Sequence, residues 1–355
     1  MAIFTVTNTN DSGAGSLRQA ILDSNAAGGS NTIDFDASLT GQTITVLSAL
    51  PISANADING DIIIEGSGTN SLIELDTTGV DLALEDVTLD FVSTRRDLAA
   101  TSAVISVTDD NISITNSATI TATGSNIIGT DPSVVSDRTV GIDIQGDNFT
   151  LVNEAGASIV TTGRIGVQAI SSFFNPDPVD FFTTVINDGL IEAADDGVRL
   201  TTGEVTNSGT IRSTGLFSIG VSDSIVGTTA DAVQFFGPDN ANFMTPANGI
   251  GVVNNLAGGI IEGARTGVFL SGSGGVDNAG VITADVVPIT NNPADVGTEA
   301  PLIINNSGTI TRGGENFGLN VEDDELAAII LSESAGVSDI SITNSGIINL
   351  SLIHI

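Results

Sequence analysis

The sequence predicts an all-β chain wound as a parallel β-helix, a solenoid of short strands with a short helix capping its N-terminal end. Three observations predict it. A corner phrase, VTNSGTI at 205–211, returns as ITNSATI from Ile114, VINDGLI from Val185, VDNAGVI from Val276, INNSGTI from Ile304 and ITNSGII from Ile342. Between corners falls a second phrase, GIDI from Gly141, GVQAI from Gly166, GVRL from Gly197, GVFL from Gly267 and GLNV from Gly318, with apolar and polar residues alternating as in a half-buried strand. The spacing is that of a repeat protein: Asn187 to Asn207 is 20 positions and Asn278 to Asn306 is 28. Such a period holds about three short strands and their turns, and is too short for a strand plus a full helix.

The corner residues have a physical reason. Asn and Gly tolerate left-handed backbone, and an Asn side chain bonds to nearby main chain, so N-S-G is turn chemistry between β-prone Val and Ile. The corners fall at Asn116, Asn153, Asn187, Asn207, Asn254, Asn278, Asn306 and Asn344. Stacked coils would align these amides so that they bond along the stack, which gives them a structural role. The gap from Asn207 to Asn254 fits either two coils or one long insertion.

From the beginning of the chain, Phe4 and Val6 open a strand and NTNDSGAG makes a turn. SLRQAILDSN is the one convincing helix: Ser16 caps it, Gln19 reaches back from three residues on, and Leu17, Ala20 and Ile21 form one apolar stripe. A helix here covers the open end of a solenoid core, where bare strand edges would invite pairing with other chains. Residues 1–30 are assigned to this cap and 31–355 to the β-helix.

The run VTNTNDSGAGSLRQAILDSNAAGGSNTIDFD, followed by GQTITVLSALPI and DIIIEGSG, is similar to the opening of many large bacterial secreted and surface right-handed β-helix proteins. In that family a G-S-L-R-x-A helix precedes an N-T-I-x-F strand, a G-x-T-I strand and an L-P-I segment. The match covers roughly the first 70 residues, and the later N-x-G-x-I corners resemble autotransporter-type passenger domains. The resemblance implies a right-handed winding, an extracellular or outer-surface location, and an adhesin-like rod.

Next, LIELD from Leu72, LALEDVTLDFV from Leu82 and VISVTDDNISI from Val104 alternate with period two, so coils begin before the Asn corners do. Breaks in the later repeat predict protruding loops at 171–182, 235–246, 286–301 and 322–339. The first two carry Phe173, Phe174, Phe181, Phe182, Phe235, Phe236 and Phe243 in a chain with no Trp or Tyr. These rings form either a contact patch for a partner or, as the commoner outcome for a side chain without a polar handle, packing against the rod. The terminal run SITNSGIINLSLIHI has no polar or helical cap, which leads to the expectation that the natural chain continues.

Composition excludes several chemistries. Forty-three Asp and Glu stand against nine basic residues, all Arg, for a formal charge of −34. That surface repels nucleic acid and offers nothing to an anionic membrane, and no apolar run is long enough to cross a bilayer. With no Cys, and with His354 as the only histidine, neither a Ser-His-Asp or Cys-His centre nor a His or Cys metal site is available. Calcium, which takes oxygen ligands, stays open as a weak partner of the clusters at Asp109, Asp143 and Glu322, though a solvated acidic face is the commoner meaning.

An enzymatic alternative comes from the winding itself, since β-helices also carry polysaccharide lyases and glycoside hydrolases. Asp195 with Asp196, or Asp177 with Asp180, would be the carboxylate pair, the former only if it lies in a turn, because adjacent strand residues point to opposite faces. Arg164, Arg199 and Arg265 would be the candidate bases of a lyase. No residue is assigned a catalytic, cofactor or metal role. The expected function is a non-catalytic rod that presents loops to surface glycans or to host or neighbouring cells.

Overall fold

The computed structural model describes residues 1–94, 101–124, 139–170, 182–214, 230–235, 250–270, 273–291, 301–313, 328–331, 340–349 and 353–354. They form two compact units, Met1–Gln168 and Ala169–Ile355. Each is a parallel β-helix in which strands of successive coils pair in register, and among the described residues the first unit adds one α-helix and a short 3-10 turn, Ala37–Leu39.

In the first unit the N-terminal motif accounts for itself residue by residue. Ser16 accepts the Gln19 amide at 3.2 Å and caps the helix Leu17–Ala27, whose Leu17, Ala20, Ile21 and Ser24 are buried. Arg18 faces the other way and fastens the helix to the following coil, donating to the carbonyls of Ser48 and Ala49 at 2.7 Å each and to the Asp11 carboxylate at 2.9 Å. Asn31 opens the strand Asn31–Phe35 and closes the helix end: its amide donates to the Ser24 and Gly28 carbonyls, while its Oδ1 accepts the Ala2 amide. The capping-box partner behaves otherwise than expected, because Gln19 donates its side chain to Asp23 at 2.8 Å.

The long strands Ala56–Gly68, Asp81–Ser93 and Ser113–Thr123 stack in parallel, with register shifts at Asn59/Ile62 and Glu85/Thr88 that turn the chain at the corner. The inward corner position is Ile58, then Leu84, then Asn116, so an aliphatic column gives way to asparagine within this unit. Asn116 donates to Asn153 at 2.8 Å, and both are fully buried.

In the second unit each coil has three strands, as in Gly203–Asn207, Thr210–Ser213 and Asp231–Phe235. Three inward columns form the core: Val205, Val253, Val276 and Ile304; Ile211, Ile261, Ile282 and Ile310; Val198, Val233, Val268 and Ile289, all without solvent exposure. Burying each such side chain contributes roughly 1.5–3 kcal/mol, so the columns are the main source of cohesion.

The asparagines form a continuous ladder here. Asn187, Asn207, Asn255, Asn278 and Asn306 each donate Nδ2 to the Oδ1 of the next, ending on Asn344, at 2.7–2.9 Å. At the fifth corner the ladder residue is therefore Asn255 and not Asn254, because two adjacent asparagines made the phrase ambiguous and strand parity turns Asn254 outward. The long gap resolves as one coil with an insertion, since Asn207 and Asn255 are direct register partners. The corner glycine also has a different cause from the expected left-handed backbone. A Cβ on Gly209, Gly308 or Gly346 would lie 2.1 Å from a carbonyl oxygen of the preceding coil, so only glycine fits the close approach.

Two of the four predicted loops contain strand. A strand, Val287–Asn291, runs through the third, and Ile329–Ile330 pairs with it inside the fourth. Both are short apolar runs whose pairing partners lie a coil away, which local sequence does not reveal. Residues 171–181 of the first and 236–246 of the second lie outside the described residues.

Candidate functional site

Two features of the second unit gather polar chemistry. The first is a buried cluster at the turn between Leu190–Ala193 and Val198–Leu200. Asp195 and Asp196 do lie in this turn, which brings both carboxylates to Arg199. Arg199 donates Nη2 to Asp195 at 3.5 Å and contacts Asp196 through both Nε and Nη2. The remaining oxygens serve the next coil: Asp195 accepts the Ala230 amide at 2.8 Å and Asp196 accepts the Asp231 amide at 3.0 Å. Burial works against the Arg199 charge, but the charges of Asp196 and Asp195 outweigh it and hold the guanidinium protonated.

Asp231 was not anticipated from the sequence. It is 1% exposed, and neither carboxyl oxygen reaches a hydrogen-bond partner of good geometry. Burial and the neighbouring Asp196 charge push its carboxyl well above the ordinary range, against the opposing pull of Arg265 and of the Thr266 hydroxyl, its register partner on the next coil. The Oε1 of buried Gln234, three residues on, also lacks a partner. No local motif marks these groups, because the spacing that joins them, 35 positions from Asp196 to Asp231, is set by an insertion.

The second feature is a shallow trough of about 480 Å³ beside the asparagine corner. Thr206, Asn254, Asp277, Asn305 and Thr343 line it and are successive register partners, so the trough crosses the strands and runs along the stacking direction. The exposed Leu256, Ala279, Ser307 and Ser345 of the turns form its other side. Two amides are held in place, Asn305 donating to Asp277 at 2.7 Å and Asn254 to Glu204 at 2.6 Å.

The other sequence candidates separate. Arg265 sits beside Asp231, whereas Arg164 belongs to the first unit, and Asp177, Asp180 and Glu322 lie outside the described residues. Phe235 is a core residue at the end of a strand, 2% exposed, and so is no contact residue; the alternation that buries Val233 buries it too. Phe182 is exposed, and Phe173, Phe174, Phe181, Phe236 and Phe243 lie outside the described residues. Asp143 is buried and bonded by Gln145 and Gln168 at 3.1 and 2.9 Å, with burial raising its carboxyl despite those bonds. Asp109 accepts the Thr78 hydroxyl. Among the described residues no three His, Cys, Asp or Glu side chains are grouped to hold a metal, and no helix is long and apolar enough to cross a membrane.

No family model and no curated protein matches this chain. Two solved structures are similar to it. Pectate lyase Pel9A shares 12% identity at a TM-score of 0.41, over 98% of this chain and 78% of that one. Endo-xylogalacturonan hydrolase from Aspergillus tubingensis shares 14% at 0.37, over 97% and 92%. The parallel β-helix assignment rests on the strand pairing itself.

Proposed function

We propose that this chain is a non-catalytic binding rod, a part of a secreted or surface-attached bacterial protein of adhesin-like type that contacts glycans on a surface or neighbouring cell. The observation that carries this reading is the trough. It is open, continuous across coils, and lined by amides and hydroxyls together with Asp277 and the apolar Leu256 and Ala279, which suits repeated weak contact with a hydroxyl-rich polymer and supplies no acid and base pair for cleavage. The Phe-rich segment that ends at Phe182 is read as a further contact element.

A second reading, a polysaccharide lyase or glycoside hydrolase, is favoured by Asp231. A carboxyl raised by burial beside other carboxylates is the pattern of a general acid, and Arg199 and Arg265 are at hand. Against it, Asp195 and Asp196 are engaged by Arg199 and by backbone amides.

Binding and turnover on a panel of immobilised polysaccharides, run with calcium and again with a chelator, decides between them. Retention without new chain ends is the expected result. Release of reducing or unsaturated ends would replace the rod reading with the enzyme, and loss of retention on chelation would assign calcium a part.

A further inference from the structure

Resting on that binding reading, we infer that the trough beside the asparagine corner takes a neutral, extended polysaccharide lying along the stacking direction, one residue per coil. Direction comes first. Thr206, Asn254, Asp277, Asn305 and Thr343 are register partners in successive coils, so equivalent lining positions recur about every 4.8 Å, the distance between hydrogen-bonded strands. A ligand meeting several of them must be extended and must repeat at nearly that step. A peptide strand rises only about 3.3 Å per residue and so comes back into phase only at every second coil, three residues to about 9.6 Å, whereas one pyranose ring per coil can meet every lining position.

The lining chemistry agrees. An Asn amide offers two N–H donors and a carbonyl acceptor, and a Thr hydroxyl offers both roles, as sugar hydroxyls require. Asn254 and Asn305 each spend one N–H on Glu204 and Asp277, which fixes the amide plane before a ligand arrives and keeps further donor and acceptor capacity. Leu256, 46% exposed, and Ala279 give an apolar carbon surface for the C–H faces of a sugar ring.

Charge selects within that class. Among the described residues no Arg lines the trough and Asp277 is its one ionisable lining residue, and the chain carries −34 in all. An acidic polymer would bring like charge to like charge with no cation to receive it. The sugar polymer is therefore an uncharged one.

The test uses the full chain in affinity gels containing a neutral β-1,4-linked mannan or glucan, or polygalacturonate. Expected results are retardation by a neutral polymer and none by polygalacturonate. Because no counter-charge takes part, retardation should be the same from about 50 mM to about 500 mM salt. The double variant Asn254→Ala, Asn305→Ala should bind about tenfold or more weakly, in line with two lost hydrogen bonds, at an unchanged melting temperature. Thr311→Ala, at a strand position outside the trough, should bind as the parent does. Parent-like binding by the double variant would overturn the trough while leaving the glycan-binding function standing. Preference for polygalacturonate would overturn the selection by charge. Failure to bind any polymer of the panel would end both the inference and the function on which it rests.

Discussion

Asn207 and Asn255 lie 48 positions apart, yet the amide of one donates to the carbonyl of the other at 2.9 Å inside a fully buried corner. Whatever the chain inserts between two corners, the ladder returns it to the same rung. Each ladder amide also donates to main chain, as Asn207 does to the carbonyls of Gly209 and Ile260 at 3.2 Å, so a single side chain satisfies its own turn and the next coil. Buried amides left unmatched would be costly, and the ladder makes matching cooperative from coil to coil.

Asn278 is therefore expected to be sensitive out of proportion to its size. Asn278→Ala strands the amide of Asn255 and the carbonyl of Asn306, each costing roughly 1–3 kcal/mol. Asn278→Asp keeps the shape but sets a carboxylate against the Oδ1 of Asn306 and the carbonyl of Thr309. Denaturant melts should show both variants destabilised, with only the Asp variant recovering as its carboxyl is protonated in acid. Equal, pH-independent losses would show that the ladder bond direction does not matter.

Much of this was legible in the sequence. Period-two alternation and repeated Asn corners gave the coil, and Ser16, Leu17 and Ala20 gave the helix, because those signals are local. What stayed hidden depends on register between coils. Asn254 and Asn255 differ only in strand parity; Phe235 is indistinguishable in sequence from its neighbour Phe236; and Asp196 meets Asp231 only because their coils stack. The trough was half legible: its lining residues flank the corner Asn of the repeated phrase, but that they line up into a trough appears only when the coils stack.

Arg199 offers a way to separate a structural cluster from a catalytic one. Removing it in Arg199→Met leaves Asp195 and Asp196 buried without their cation, an effect typically worth about 3–5 kcal/mol. The expected outcome is a lower unfolding midpoint with glycan binding retained below that midpoint. Unchanged stability together with lost turnover on a polysaccharide would instead point to catalysis.

Arg18 should govern the N-terminal helix independently. Its fork joins the helix to Ser48, Ala49 and Asp11, and the Asp11 carboxyl is held below its ordinary value first by the Arg18 hydrogen bond and then by the Leu47 amide. Lysine cannot reproduce a planar fork, so Arg18→Lys and Arg18→Ala should both speed hydrogen exchange in the strands Thr43–Val46 and Leu50–Ile52. Strands of the second unit should exchange as before. Full protection in the lysine variant would mean that charge alone holds the helix.

Asp231 sets the sign of the second unit's response to pH. Facing it are Asp195, Asp196, Arg199 and Arg265, with Thr266 on the next coil, and its carboxyl is raised chiefly by burial. The unfolded chain would ionise this group near pH 3.9. A raised native value means that the stabilising neutral form contributes fully below that pH, and that its contribution declines as pH rises towards and through the native value. Asn at this position keeps the shape without the proton equilibrium. Asp231→Asn should therefore raise the neutral-pH melting temperature and flatten the fall of stability that sets in as pH rises above the unfolded carboxyl value. Asp143 and Asp57 in the first unit and Asp285 in the second, also raised by burial, contribute the same sign, so the single variant should remove only the Asp231 part of the decline. A profile unaltered by Asp231→Asn would show that Arg265 and Thr266 satisfy the ionised carboxylate, and that its oxygens are not orphaned in solution.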